Sequence, residues 1–194
     1  TGGDIVLVRN GRGRILGSAL YSDRSQIALR MLTDGEALAT DTLLLDRLER
    51  AVQFRESLHL DATAYRLVHG EADRLPSLIV DRYGDYLVVQ ALSQGMDRHL
   101  PAIVDWLQAR LAPRGILARH DPRARLLDGL DQHGGHPVGV DGGLHGGEAA
   151  EGDVGEAVGQ RAEGLLLGGL TGGGQRPHGA AVEAAVNAAL AKIR

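Results

Sequence analysis

Short apolar runs separated by turn residues dominate the first 32 residues of the chain and predict β-strands. The strands are predicted at Asp4–Val8, Ile15–Tyr21 and Ile27–Leu32. The first two are joined by Asn10–Gly13, whose Asn-Gly pair is a strong signal for a tight hairpin. Three strands over so short a stretch predict a small β-barrel or meander.

Helical spacing of apolar residues follows in two places, Asp41–His59 and Asp97–Leu111. Asp41 stands where a side chain can cap the first helix. Pro101 falls in the first turn of the second helix, where proline is tolerated. The residues expected on the buried face of the first helix are Leu44, Leu45, Leu48, Val52 and Phe54.

Strand patterns reappear around these helices, at Tyr65–His69, Leu78–Val80, Tyr86–Val89 and Gly115–Ala118. Gly84 comes just before the third of these strands and can take the positive φ that a tight hairpin needs. The order helix, three strands, helix, strand predicts an α+β domain in which a sheet packs on helices.

These patterns divide the chain into a partial β unit (residues 1–36), a central α+β domain (residues 37–130) and a tail (residues 131–194). The tail holds 17 of the 28 glycines, and no aromatic residue follows Trp106. It has no clear period before an alanine-rich helix candidate at Ala180–Ile193. We interpret the tail either as disordered or as a frameshifted, degenerate read-through of a GC-rich gene.

Composition excludes several kinds of site, and the distribution of charge identifies a basic region in residues 1–30. The sequence has no Cys, which excludes disulfides and thiolate metal sites. No apolar run approaches the ~18 residues of a membrane span and no signal peptide is visible, so we expect a cytoplasmic protein without a membrane partner. The net charge is −4, yet residues 1–30 hold five arginines against Asp4 and Asp23.

The arginines of the β unit lie on or beside its predicted turns, where they can reach phosphates or stack on bases. The candidates for RNA binding are Arg12, Arg14, Arg24 and Arg30. The alternative is an ordinary solvated surface, in which Arg24 or Arg30 pairs with a nearby carboxylate.

A second group of charged residues lies at the strand ends and in the loop of the central stretch, where sites tend to lie on a rigid scaffold. Its members are Arg66, His69, Glu71, Asp73, Asp81 and Arg82. This group either positions a substrate or docks a domain, or it is a structural network of ion pairs. Glu71-x-Asp73 is too weak a signal for a metal site, and none is predicted.

The central stretch Tyr65–Gln90 reads Y-R-L-V-H-G-E-A-D-R-L-P-S-L-I-V-D-R-Y-G-D-Y-L-V-V-Q. It closely resembles the signature of the SAM-dependent 23S rRNA cytosine-C5 methyltransferases that carry an N-terminal PUA domain. Ser77 departs from that signature, because the family usually has Gly at this position. A positive φ at Ser77 would therefore be strained.

Other segments extend the resemblance in both directions. Gly3–Val8, Gly13–Tyr21 and Ser25–Arg30 are similar to strands of the family's PUA domain, and Arg119–Leu130 is similar to its R-x-D-x-x-x-R-x-x-E-G-L motif. The family's opening PUA strands are absent from this sequence. The resemblance therefore implies a partial PUA-like barrel with an open edge.

The resemblance implies rRNA binding, with 23S rRNA as the target and S-adenosylmethionine as the cofactor of the full-length family. It also implies that the central charged residues face a cleft towards a methyltransferase domain. Methylation at C5 requires a nucleophile that adds to C6, for which such enzymes use a Cys thiolate, and this sequence has none. The glycine run Gly164–Gly174 lacks the acidic residues of a SAM site. No catalytic, cofactor-binding or metal residue is therefore assigned.

We predict the RNA-binding portion of such a methyltransferase, inactive by itself. One alternative is methyl transfer with a catalytic domain that another chain supplies. The other is a self-associating structural remnant, a homodimer formed through apolar surface that a missing domain would cover.

Overall fold

The computed structural model describes residues 1–40, 42–120, 124–131 and 136–138. The strands and helices are β1 Ile5–Arg9, β2 Ile15–Tyr21, β3 Leu29–Met31, α1 Leu43–Ser57, β4 Ala64–His69, β5 Leu78–Tyr83, β6 Tyr86–Ala91, α2 Gln94–Leu111, β7 Gly115–Ala118, α3 Ala124–Leu127 and β8 His136–Val138. A 3-10 turn, Gly70–Asp73, follows β4. The predicted glycine run and the predicted helix of the tail lie outside the described residues.

The first three strands form an antiparallel sheet, which we call the β module. The hairpin between β1 and β2 is present, but it differs from a two-residue Asn-Gly turn. The Asn10 side-chain oxygen accepts hydrogen bonds from the backbone N–H groups of Arg12 and Arg14, both at 3.0 Å. The positive φ of +80° falls on Gly13 rather than Gly11. The asparagine side chain thus closes a longer loop, whose residues 10–14 are exposed.

The remaining strands form a five-stranded sheet in the order β4-β5-β6-β7-β8. All neighbouring pairs are antiparallel except β6 and β7, which are parallel. A parallel pair needs a crossover connection, and α2 supplies it. Helix α1 packs against β4, while α2 packs against β6 and also against β2 of the β module. This is the α+β fold that the sequence predicted.

One apolar core joins the helices, the five-stranded sheet and the β module. Leu48 of α1 and Leu107 of α2 are fully buried in it, and Leu20 and Leu32 of the β module belong to the same cluster. Gly95 permits this contact, because a Cβ atom at that position would lie 2.7 Å from Leu20 Cβ. The β module is therefore anchored on the central domain by shared core packing.

Two expectations for the helices need correction. Phe54 was expected on the buried face of α1, but its side chain is 55% exposed. It lies two residues after the buried Val52, and two residues turn a helix by about 200° to the opposite face. Helix α2 begins three residues earlier than predicted, since the Ser93 side chain accepts the N–H of Met96 at 3.3 Å and caps it at that point.

Two expectations for the strands also need correction. Asp81 and Arg82 were expected to end their strand, but β5 continues to Tyr83, which pairs with Tyr86 across the tight Gly84 turn. Gly84 has the expected positive φ, at +58°. Strand β3 is shorter than predicted and excludes Ile27, because the chain before Leu29 bends around the side chain of Ser25, which accepts the Ile27 N–H at 3.1 Å.

No helix in the described part of the chain is both long and apolar enough to cross a membrane.

Candidate functional site

The tip of the β1–β2 hairpin carries two of the predicted RNA-binding arginines. Arg12 and Arg14 are both exposed, and within the part of the chain that the structure describes neither guanidinium has a carboxylate partner. Arg9 reinforces the loop, since its Nη1 donates to the Gly13 carbonyl at 3.1 Å. Two exposed cations on a closed loop, without a carboxylate partner among the described residues, are suited to contact a polyanion.

The other two predicted arginines lie at the opposite end of β2. Arg24 is exposed, and its side chain covers Gly129, where a Cβ atom would lie 2.7 Å from the arginine Cβ. Arg30 is directed inward and forms a two-pronged ion pair with Asp128, with Nη2–Oδ1 at 3.0 Å and Nη1–Oδ2 at 3.2 Å. Since its guanidinium already has a carboxylate partner, Arg30 acts at the junction between the two domains.

Asp128 is the centre of that junction. Its carboxylate is fully buried and also accepts hydrogen bonds from Ser22 Oγ at 2.7 Å and from the Gln94 N–H at 3.1 Å, at the start of α2. Burial opposes its ionisation, but hydrogen bonds from Ser25, Ser22 and Arg30 outweigh burial and lower the pKa of Asp128. A charged, fully bonded carboxylate thus ties the β module to the central domain.

Exposed contacts surround this buried one on the same side of the molecule. The Gln94 side chain accepts the Asp23 N–H at 2.9 Å and donates to the Asp23 carboxylate at 3.0 Å. Arg98 of α2 pairs with Asp4 at the start of β1. These contacts fix the orientation of the β module, and with it the direction in which the hairpin arginines point.

The central charged residues form two separate ion pairs. Arg66 binds Asp81 across β4 and β5, with Nε–Oδ1 at 2.9 Å and Nη2–Oδ2 at 3.2 Å. Asp73 binds Arg55 of α1 in the same two-pronged way and also accepts the His69 N–H at 2.6 Å. Four of the six predicted residues therefore stabilise the fold: Arg66, Asp73 and Asp81 through their side chains, and His69 through its backbone N–H.

The remaining two central residues also have contacts within the protein. Glu71 accepts the Ser77 N–H at 3.3 Å, and Arg82 Nε donates to the Gly84 carbonyl at 2.8 Å. Arg82 lines a groove of about 390 Å³ between the end of α1 and the β4–β5 edge, together with Tyr65 and His59. The imidazole of His69 is exposed at the end of β4.

Three residues that hold the site together were not singled out from the sequence. Asp128, Arg55 and the buried Arg47 each bind a group that is distant along the chain. Only Asp128 gave a signal, as the acidic residue of the segment matched to the family's E-G-L motif. In the described residues no group of three His, Asp or Glu side chains is arranged to hold a metal ion.

Comparison with known proteins agrees with this architecture. Residues 1–34 match the model of a PUA-like domain. The ribosomal RNA large subunit methyltransferase I of Tolumonas auensis is 37% identical over 136 residues, which cover 69% of this chain and 34% of that protein. The protein of the same name from Pseudoalteromonas atlantica is 37% identical over 133 residues, covering 67% of this chain and 34% of its own.

Solved structures show the same fold at lower identity. A structure assigned as a SAM-dependent methyltransferase from Streptococcus mutans superposes with a TM-score of 0.57 at 17% identity, over 77% of this chain and 36% of that one. Another, assigned as a methyltransferase complexed with SAH, gives a TM-score of 0.54 over 61% of this chain and 32% of that one.

Fold and surface together define a protein with a PUA-like module fixed on a small α+β domain. The sequence relatives place it more narrowly: the chain belongs to the family of the rRNA large subunit methyltransferases I. It spans about a third of the length of the curated relatives that it matches.

Proposed function

We propose that these residues are the rRNA-recognition portion of a SAM-dependent large-subunit rRNA methyltransferase. The observation that carries the proposal is the β1–β2 hairpin of a PUA-like module, whose exposed Arg12 and Arg14 have no carboxylate partner among the described residues. Arg24 adds a third exposed cation to that module. An rRNA partner also agrees with the cytoplasmic location that the sequence predicts.

The junction between the two domains fixes the hairpin surface relative to the central domain. Because Asp128 holds both Arg30 and the start of α2, RNA bound at the hairpin would have a fixed position relative to the central domain. In this proposal Arg66, His69, Glu71, Asp73, Asp81 and Arg82 form the face that positions the substrate or docks a catalytic domain. The ion pairs Arg66–Asp81 and Arg55–Asp73 keep that face rigid.

We propose further that cytosine C5 of 23S rRNA is the target and S-adenosylmethionine is the methyl donor of the complete enzyme. Addition to C6 of the base requires a nucleophile of the Cys type, and these 194 residues contain no Cys. The segment would therefore bind RNA without transferring a methyl group, unless a catalytic domain on another chain completes the site.

The test is a binding titration of the chain with a 23S rRNA fragment at two salt concentrations, with labelled SAM in a parallel sample. We expect RNA binding that weakens as salt rises, because phosphate contacts release counterions, and no retention of SAM. The variant Arg12→Gln/Arg14→Gln should weaken RNA binding at low salt, whereas Arg114→Gln, an exposed arginine on the turn before β7, should not. Salt-independent binding, or retained SAM, would contradict the proposal.

Self-association is a second candidate role, favoured by exposed apolar side chains of the β module. Leu29 and Met31 of β3 are each 42% exposed, and Leu16 at the start of β2 is 43% exposed. Apolar side chains grouped on one sheet can form an interface between copies of the chain. Sedimentation over a range of concentrations checks it: a constant monomer mass would remove the homodimer.

A further inference from the structure

A small pocket of about 180 Å³ lies where the β module meets the central domain. Met31 and Asp34 line it from the end of β3, Arg47 from α1, and Glu71 and Arg74 from the 3-10 turn and the loop that follows. The pocket is separate from the groove beside Arg82 and contains only one of the residues singled out from the sequence.

The inner wall of this pocket is a buried guanidinium. Arg47 is 7% exposed, and it donates to the carbonyl of Arg74 at 2.6 Å and to the carbonyl of Leu32. Burial, followed by the charges of Arg74 and Arg50, lowers the pKa of Arg47, and only the charge of Asp34 opposes this shift. The site thus holds a buried cation that other cations repel.

Two exposed arginines add positive charge close to Arg47. Arg74 lines the pocket, while Arg50 lies one turn after Arg47 on α1, outside the lining. Both are exposed, and neither has an ion-pair partner among the described residues. On the acidic side, Glu71 directs one oxygen to the Ser77 N–H. The carboxylates of Asp34 and Glu71 in the lining offset part of this positive charge, and an anion entering here would offset more of the repulsion that Arg74 and Arg50 exert on Arg47.

The pocket lies at the same end of the β module as the hairpin. Strand β2 begins at Ile15, directly after Arg14, and the chain after β3 returns alongside it. The Gly35 N–H donates to the Leu16 carbonyl at 2.9 Å, which places Asp34 next to the start of β2. One nucleic-acid strand that contacts the hairpin therefore has a short path to the pocket.

We propose that this junction pocket binds a phosphodiester of the same RNA strand that the hairpin contacts. Arg50 and Arg74 pair with the phosphate oxygens, Arg47 supplies a fixed positive charge behind them, and the exposed part of Met31 gives the adjoining base an apolar surface. The proposal rests on the proposed RNA-binding function and extends it from one module to the junction of two. It makes the RNA bridge the β module and the central domain.

The experiment compares Arg50→Gln/Arg74→Gln with the unchanged chain and with Arg114→Gln, titrating a 23S rRNA fragment over a series of salt concentrations. Both substituted side chains are exposed, and matching thermal unfolding curves check that the variants fold. We expect a several-fold drop in affinity at low salt and a slope of log K against log salt that is smaller by about 1 for each phosphate that the variant no longer binds. Arg114→Gln should reproduce the unchanged chain.

The other outcomes separate this proposal from the broader one. If Arg12→Gln/Arg14→Gln weakens binding but Arg50→Gln/Arg74→Gln leaves affinity and slope unchanged, RNA binding stands and the junction pocket is overturned. If the unchanged chain does not bind RNA, the proposed function itself fails, and the pocket proposal with it.

A second titration uses inorganic phosphate and follows the phosphorus NMR line width. The phosphorus signal should broaden when the unchanged chain is added and should broaden less with Arg50→Gln/Arg74→Gln. Phosphate should also compete with the RNA for binding to the unchanged chain. Broadening that depends on Arg50 and Arg74 without any competition against RNA would identify an anion site unrelated to the nucleic acid and would overturn the proposal.

Discussion

Arginine serves different purposes in the β1–β2 hairpin and in the two ion pairs of the central domain. In the hairpin, Arg12 and Arg14 are exposed and have no carboxylate partner in the part of the chain that the structure describes. In the central domain, Arg55 and Arg66 hold carboxylates with two bonds each. A guanidinium with its donors already occupied gains little from a phosphate, while an unoccupied one can release counterions on binding. Pairing, rather than arginine count, therefore distinguishes the arginines of the proposed RNA-binding surface from those of the scaffold.

Apolar side chains show the same contrast. Leu48 and Leu107 of the central domain are fully buried, whereas Leu29 and Met31 of the β module are 42% exposed. The buried leucines of the module, Leu20 and Leu32, belong to the core that it shares with the central domain. These two leucines of the module therefore pack at its junction with the central domain, and four changes can test how far this difference extends.

The largest effect is expected for Leu48→Ala in the central core. The substitution leaves a cavity in a fully buried site, which costs about 2–5 kcal/mol in the free energy of unfolding. Chemical denaturation measures the loss. Leu38→Ala is the control, since Leu38 is 61% exposed and its truncation should change stability by less than about 0.5 kcal/mol. Equal losses for the two variants would mean that the core is not where the structure places it.

The second largest loss of stability is expected for Asp128→Asn, because this substitution breaks the ion pair at the junction of the two domains. It removes the charge that Arg30 pairs with and one of the acceptor oxygens, at a cost of about 2–3 kcal/mol. The pKa of Asp128 is lowered in the folded protein, so its contribution is present above the ordinary value of 3.8 and is lost as the pH falls through the folded value.

Unfolding curves at pH 7 and at several pH values below 4 check the sign for Asp128. The difference between the unchanged chain and Asp128→Asn should shrink in acid. A difference that stays constant down to the lowest pH would show that the carboxylate is not ionised at the junction.

Ser77 is expected to give an effect of about 1 kcal/mol, and its two variants should differ. Its φ is +64°, which strains any residue with a Cβ, while its hydroxyl bonds Ser93 Oγ at 2.8 Å in a buried site. Ser77→Ala keeps the strain and loses the bond, so it should destabilise by about 1 kcal/mol. Ser77→Gly loses the bond but relieves the strain, and should be nearly neutral in thermal unfolding. If Ser77→Gly were less stable than Ser77→Ala, the backbone at position 77 would not be strained.

The smallest change in stability is expected for Arg12→Gln/Arg14→Gln. Both side chains project from the hairpin tip, so the free energy of unfolding should change by less than about 0.5 kcal/mol. The backbone N–H groups that Asn10 accepts are retained in the variant. Denaturation beside the RNA titration checks both properties. A clear loss of stability would show that Arg12 and Arg14 support the fold, as Arg55 and Arg66 do in the central domain.

Local pattern was enough for most of the elements. Strand β7 was predicted at Gly115–Ala118 and β2 at Ile15–Tyr21, and both bounds are confirmed. The errors came where one side chain or one partner strand overrides the pattern: the Ser93 cap lengthens α2, and pairing with β6 carries β5 to Tyr83. In the candidate site, the exposed hairpin arginines follow from the turn residues around them, because a turn is local.

Sequence alone determined the α+β class, the order of strands and helices as far as β7, the family, and the strain at Ser77, since each depends on residues close together in the chain or on a continuous motif. It missed α3 and β8. Tertiary structure alone decided which charges are free. Arg30 meets Asp128 across 98 positions, and Arg47 is surrounded by Leu32 and Arg74 from either side of its helix in the sequence. Ion pairing depends on distances of a few ångströms in space, and these distances cannot be predicted from charge composition.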